Sequence, residues 1–117
     1  LGSDRWHALP AANSPRFADS QVAVLTDDTL FVWSGRHLST EAHDSVATMR
    51  TGAIYSDTSR SWIQIESPPE IAARASAGAT NVGKYIAIFG GILLSGAHDQ
   101  SVCADIILYD PTASPAE

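Results

Sequence analysis

Long apolar runs and clustered basic residues are both missing from this sequence, and each absence removes a class of protein. No segment approaches the roughly 20 consecutive apolar residues of a membrane-spanning helix, so no helical span is expected. Lys and Arg number 7 against 13 Asp and Glu, a formal net charge of −6. The basic residues, Arg5, Arg16, Arg36, Arg50, Arg60, Arg74 and Lys84, stand apart from one another. A phosphate backbone is held by clustered cations, so nucleic acid is not an expected partner. The single cysteine, Cys103, excludes an intrachain disulfide and sits beside Val102 and Ala104 as a small buried thiol would. No G-x-S-x-G, P-loop, dinucleotide fingerprint, HExxH or CxxC occurs, so no catalytic set is visible and no cofactor is expected. The opening Leu1-Gly2-Ser3 has no signal-peptide character, and the cellular compartment stays open.

What is present is an internal repeat in a chain of 117 residues that is 44% apolar and 17% charged, a globular composition. Trp6-His7-Ala8-Leu9 recurs as Trp62-Ile63-Gln64-Ile65, 56 residues on. Thr29-Leu30-Phe31-Val32-Trp33-Ser34-Gly35 recurs as Tyr85-Ile86-Ala87-Ile88-Phe89-Gly90-Gly91 at the same spacing. Pro15-Arg16 matches Ala73-Arg74 at 58, and Ala53-Ile54-Tyr55-Ser56-Asp57-Thr58 matches Ile107-Leu108-Tyr109-Asp110-Pro111-Thr112 at 54. Four landmarks thus keep their order while the spacing drifts by two residues each way.

Each landmark has the length and the β-branched or aromatic content of a short strand. Val22–Leu25 and Leu30–Trp33 flank the turn Thr26-Asp27-Asp28-Thr29, and Ala77–Thr80 and Tyr85–Phe89 flank Asn81-Val82-Gly83-Lys84, so two hairpins are predicted. Ala53–Tyr55 and Asp105–Tyr109 supply a third strand to each copy, and Trp62–Ile65 a fourth, ending at Ser67-Pro68-Pro69. Glu70–Ala77 holds helix formers after that Pro pair but spans barely two turns before Gly78; it reads as a loop leading into a strand, with a one-turn helix as the alternative.

Short strands with a Gly-Gly after the second, a Tyr-Asp after the third and a Trp on the fourth resemble the kelch repeat of β-propellers. Ile88-Phe89-Gly90-Gly91, Tyr109-Asp110, Trp62 and Arg74 carry the resemblance. Trp33-Ser34-Gly35, Tyr55-Ser56-Asp57, Trp6 and Arg16 form a more worn copy, which departs from the pattern at Ser34 and Ser56. The resemblance implies an all-β chain of two four-stranded antiparallel blades. Residues 1–10 would be a closing fourth strand, 11–66 a first blade, and 67–117 a second blade without its own fourth strand. Trp6, Trp33, Gly35, Tyr55, Trp62, Phe89, Gly90, Gly91, Tyr109 and Asp110 are then structural, the aromatics packing between blades.

Two blades do not close a propeller, which takes roughly four to eight. The expected partner is therefore the chain itself, head to tail, each copy lending Trp6–Leu9 to the last blade of the next. Three chains making six blades is the favoured ring; a piece of a longer propeller is the rival. The implied function is non-catalytic binding or scaffolding of a protein or carbohydrate ligand on rim loops. A carbohydrate-active enzyme, mutarotase- or oxidase-like, and a partial propeller with no function of its own are the alternatives. The long segments Arg36–Arg50 and Ile92–Val102 would share that rim and both hold His-Asp, as His43-Asp44 and His98-Asp99. With His37 and Glu41 nearby these could hold a metal, but solvated polar turns are the plainer reading and no metal is expected. Arg74 is the first candidate ligand contact, followed by Arg16 and Arg36, with a structural hydrogen-bonding role as the alternative for Arg74.

Overall fold

In the computed structural model the described residues are 6–15, 19–26, 28–38, 46–94 and 100–111. Among them every regular element is a strand: β1 (Val22–Leu25), β2 (Thr29–Trp33), β3 (Arg36–Leu38), β4 (Val46–Thr48), β5 (Thr51–Ser56), β6 (Ser61–Glu66), β7 (Gly78–Val82), β8 (Tyr85–Phe89), β9 (Ile92–Leu94), β10 (Gln100–Val102) and β11 (Ile106–Tyr109). No helix forms in Glu70–Ala77, which runs as turn and irregular chain into β7.

The first sheet is a four-stranded antiparallel meander in the order β1-β2-β5-β6, and the second has three strands in the order β7-β8-β11. Between the second and third strand of each sheet the chain makes a detour through a two-stranded hairpin, β3–β4 in the first and β9–β10 in the second. These are the two long segments expected to be loops. Their bases are ladders, Arg36 pairing with Thr48 and Ile92 with Val102.

The repeat holds residue by residue in the hydrogen-bond register. Val22 pairs with Trp33 and Leu25 with Leu30; 56 residues on, Gly78 pairs with Phe89 and Asn81 with Ile86. Leu30 opposes Tyr55 and Trp33 opposes Gly52, and in the second sheet Ile86 opposes Tyr109 and Phe89 opposes Ile106. The isolated bridge Asp19–Arg36 reappears as Ala75–Ile92, and the bond from Met49 N–H to Gly35 O as that from Cys103 N–H to Gly91 O. Three left-handed positions also correspond: Ser20, Ser34 and Gly35 match Ser76, Gly90 and Gly91. This register revises one landmark. With Asp19 opposite Arg36 where Ala75 is opposite Ile92, Arg74 corresponds to position 18, an alanine, and not to Arg16.

The tight positions follow from this geometry. At Gly35 and Gly91, φ is +92° and +90°, and an added Cβ would stand 2.7 Å from Asp19 O and 2.8 Å from Ala75 O respectively. A side chain is excluded twice over, by dihedral and by space. Ser34 occupies its left-handed site because its Oγ accepts the Arg74 backbone N–H at 2.7 Å, a buried use for a buried hydroxyl.

The two sheets stack through unlike faces. Successive strand residues point to opposite sides, so Val22, Val24, Phe31, Trp33 and Ile54 share one face of the first sheet. They pack against Ile86, Ile88, Ala79, Ile107 and Tyr109 of the second, forming the main core. The positions of the second sheet equivalent to Phe31, Trp33 and Ile54 are Ala87, Phe89 and Leu108, on its other side. Equivalent to the core residues Ile86, Ile88 and Tyr109 are Leu30, Val32 and Tyr55 on the far side of the first sheet, where Tyr55 and Trp62 pack at 5.3 Å between ring centroids. Stacking one face on the other leaves the second sheet's outer face without a cover, whereas on the far side of the first sheet Ala53, Tyr55 and Trp62 are buried and Leu30 and Val32 half-buried. The outer face of the second sheet is apolar and open, with Ile106 72% and Leu108 59% exposed.

Candidate functional site

Two places combine unusual chemistry with an opening. The first is the end of the sheets where β2 and β8 stop at Ser34-Gly35 and Gly90-Gly91. Arg74 lies here with 0% exposure. Its Nη1 and Nη2 donate to the two Asp105 carboxylate oxygens at 2.8 and 3.2 Å, its Nε donates to Ala72 O at 3.0 Å, and Nη1 also reaches Gly90 O at 3.4 Å. The Arg74 backbone binds the other sheet, through Ser34 Oγ and through its carbonyl, which accepts from Gly35 N–H at 3.0 Å. This residue staples the two sheets and spends its guanidinium on internal acceptors; the half-exposed Asp105 carries the pair's surface. The Arg74 hydrogen bonds hold the Asp105 carboxyl below its ordinary range, against the opposing effect of desolvation. Asp105 escapes sequence reading because nothing in a spacing of 31 residues links it to Arg74.

The hairpins carrying the predicted rim residues lie side by side at this end. Thr48 Oγ1 donates to Leu94 O and accepts from Leu94 N–H, both at 3.4 Å. Arg36, at the base of β3, forms a bidentate pair with Asp19 at 2.9 and 2.8 Å, which lowers the Asp19 carboxyl and raises the Arg36 guanidinium. Arg16, Glu41, His43, Asp44, His98 and Asp99 lie outside the described residues, and of His37 the backbone alone is described. Among the described residues no cluster of three or more metal-ligating side chains occurs. A shallow opening of about 380 Å³ runs from Thr48 and Leu94 to the Pro69–Ala73 segment.

The second place is a groove of about 670 Å³ between β6 and β11. Phe31, Trp33, Ile65, Ile71, Ile88 and Tyr109 line it, so its floor is the edge of the main core. It exists because β5 is covered by β6 whereas β11, the equivalent strand, has no described neighbour beyond it. Ile63 of β6, on the face turned to the second sheet, is consequently 58% exposed. Tyr109 packs against Phe31 at 5.2 Å between ring centroids, and burial pushes its phenol pKa up, with Asp110 adding to the shift. Sequence reading has Tyr109 packing between blades but does not foresee the groove beside it.

Trp6–Leu9, predicted as a fourth strand, forms no ladder with the described residues, and Trp6 is 100% exposed. Just after it, Pro10 O accepts the Trp62 indole N–H at 2.9 Å, which brings this segment to the far side of the first sheet. No protein-family model matches the chain, and a search of curated proteins gives no match.

Proposed function

We propose that this chain supplies two consecutive blades of a kelch-type β-propeller, used as a non-catalytic binding or scaffolding module for a protein or carbohydrate ligand. The observation that carries the reading is the stacking of unlike sheet faces in one repeated register. Like faces packed together would close on themselves as a pair; unlike faces leave the apolar outer face of the second sheet open to a further sheet, so the stack continues until it closes. Three chains giving six blades is the arrangement favoured here. The ligand would meet the hairpins β3–β4 and β9–β10, which share one end of the stacked sheets and whose connecting segments carry His43-Asp44 and His98-Asp99. Arg74 serves this surface as the staple beneath it, and Asp105 and Arg36 are charged groups there with half-exposed side chains.

Two measurements test the reading. Particle images of the assembled protein are expected to show radially arranged blades around a central opening; stacked sheets without a central axis would contradict it. Glycan and peptide arrays are expected to retain the protein without turnover, and His98→Ala combined with Asp99→Ala is expected to abolish retention at unchanged mass. Turnover of a glycan that disappears in His98→Ala would replace the binding module with an enzyme.

A further inference from the structure

We infer that the groove between β6 and β11 is the docking slot for the Trp6–Leu9 strand of a second copy of this chain. The inference deepens the blade reading by naming the partner and the atoms that meet, and it begins from the register. In the first sheet Trp62 opposes Tyr55, Ile63 opposes Ile54, Gln64 opposes Ala53 and Ile65 opposes Gly52. Carried to the second sheet through the observed equivalences, Trp6 opposes Tyr109, His7 opposes Leu108, Ala8 opposes Ile107 and Leu9 opposes Ile106. Side-chain alternation then turns Trp6 and Ala8 inward toward the first sheet, into the space lined by Phe31, Ile65, Ile71 and Tyr109, and turns His7 and Leu9 to the outer face beside Leu108 and Ile106. The small Ala8 stands where the strand passes closest to the filled core at Ile107 and Ile88.

Three observations select a second copy as the donor. Trp6 is fully exposed, an uncommon state for the largest apolar side chain, and among the described residues no strand pairs with the outer edge of β11, where an added strand would find backbone partners. The connector is also the right length. Eleven residues separate β6 from β7, and residues 11–21, again eleven, separate the segment equivalent to β6 from β1. Within the chain that connector carries the path from one sheet to the next in the stack. A strand docked on a neighbour's β11 therefore delivers its own first sheet onto the neighbour's open outer face, where the half-buried Leu30 and Val32, beside the already buried Tyr55, face the exposed Phe89 and Leu108. The contact continues, between copies, the interface already made between the two sheets of one copy. The donor's own second sheet cannot receive the strand as well, since the residues after it hold Pro10 to Trp62 on the far side of the first sheet.

The test uses sedimentation of the full chain and of Trp6→Ala, and binding of a fluorescent peptide of residues 3–11 to Trp6→Ala. Because the Trp6 side chain is fully exposed among the described residues, the substitution is expected to leave the fold intact, checked by an unchanged circular dichroism spectrum. The full chain is expected to associate, Trp6→Ala to need at least a tenfold higher concentration to do so, and the peptide to bind the variant. The same peptide carrying Trp6→Ala is expected to bind at least tenfold more weakly. Association unchanged in Trp6→Ala, or a full chain that stays monomeric, overturns the inference, as does peptide binding indifferent to the tryptophan. The two readings fail separately. Rings that persist in Trp6→Ala would keep the propeller and lose the exchange, whereas Trp6-dependent assemblies without radial blades would keep the exchange and lose the propeller.

Discussion

The first and second sheets share a register, a hairpin detour and their left-handed turns, yet they solve two local problems differently. At the end of the second strand the first sheet uses Ser34, whose hydroxyl caps a backbone N–H, where the second uses Gly90. Near the start of the third strand the second sheet uses Asp105 to hold Arg74, where the first has Thr51, whose hydroxyl is buried without a partner, and no arginine at the position matching Arg74. Backbone geometry is thus conserved between the repeats while the polar fastening is concentrated at one junction. The difference teaches that the staple belongs to the interface between sheets and is not part of either repeat.

The largest expected effect tests the shared core. Phe31→Ala, in a side chain 1% exposed between the sheets, should cost about 3–5 kcal/mol in chemical denaturation. A large-to-small substitution on the open face, Leu108→Ala, should cost well under about 1 kcal/mol in an unassembled Trp6→Ala background. Equal costs would mean that the open face is covered. Next comes the staple. Arg74→Met removes a buried cation and leaves Asp105 free to hydrate, and should destabilise by about 3 kcal/mol. Asp19→Asn, which breaks the exposed Arg36 pair of the first repeat, should shift the unfolding midpoint much less.

Acid provides the third comparison. The Asp105 carboxyl has a lower pKa folded than unfolded, so its contribution is fully present above the ordinary carboxylate range. It is lost as pH falls through the lowered folded value. Stability measured against pH should therefore decline below about pH 4, and Asp105→Asn should flatten that decline more than Asp19→Asn does. The smallest effect exchanges the repeats' own solutions. Gly90 has φ +72° and nothing within 4 Å of an added Cβ, so Gly90→Ser should cost about 1 kcal/mol by thermal unfolding, the left-handed penalty alone. Gly91→Ser, meeting Ala75 O, should cost distinctly more.

Strands β1, β2, β5, β6, β8 and β11 were legible because alternating β-branched and aromatic residues mark a sheet with two distinct faces, and the repeat spacing was legible for the same reason. The hairpin bases were not. Arg36-His37-Leu38 and Gln100-Ser101-Val102 are too short and polar to signal strands, and they pair because the Gly35 and Gly91 turns deliver both arms of each detour together. The sequence offers Arg74 as a ligand contact or as a structural hydrogen-bonding residue, and the bonds it makes, to Ala72, Gly90 and Asp105, are of the second kind. Its likeness to Arg16 is one of letters, since the bridges at Asp19 and Ala75 set the correspondence. The groove was illegible because it is a property of a sheet edge, fixed by what the third dimension places beside Tyr109 and Ile65.

Amide hydrogen exchange on β5 and β11, compared in the assembled full chain and in monomeric Trp6→Ala, tests the central claim most directly. Protection all along β5 is expected in both states, since β2 and β6 cover it. In β11 the amides facing away from β8 should exchange rapidly in the variant and become protected in the assembled chain. A β11 edge that exchanges alike in both would contradict the account.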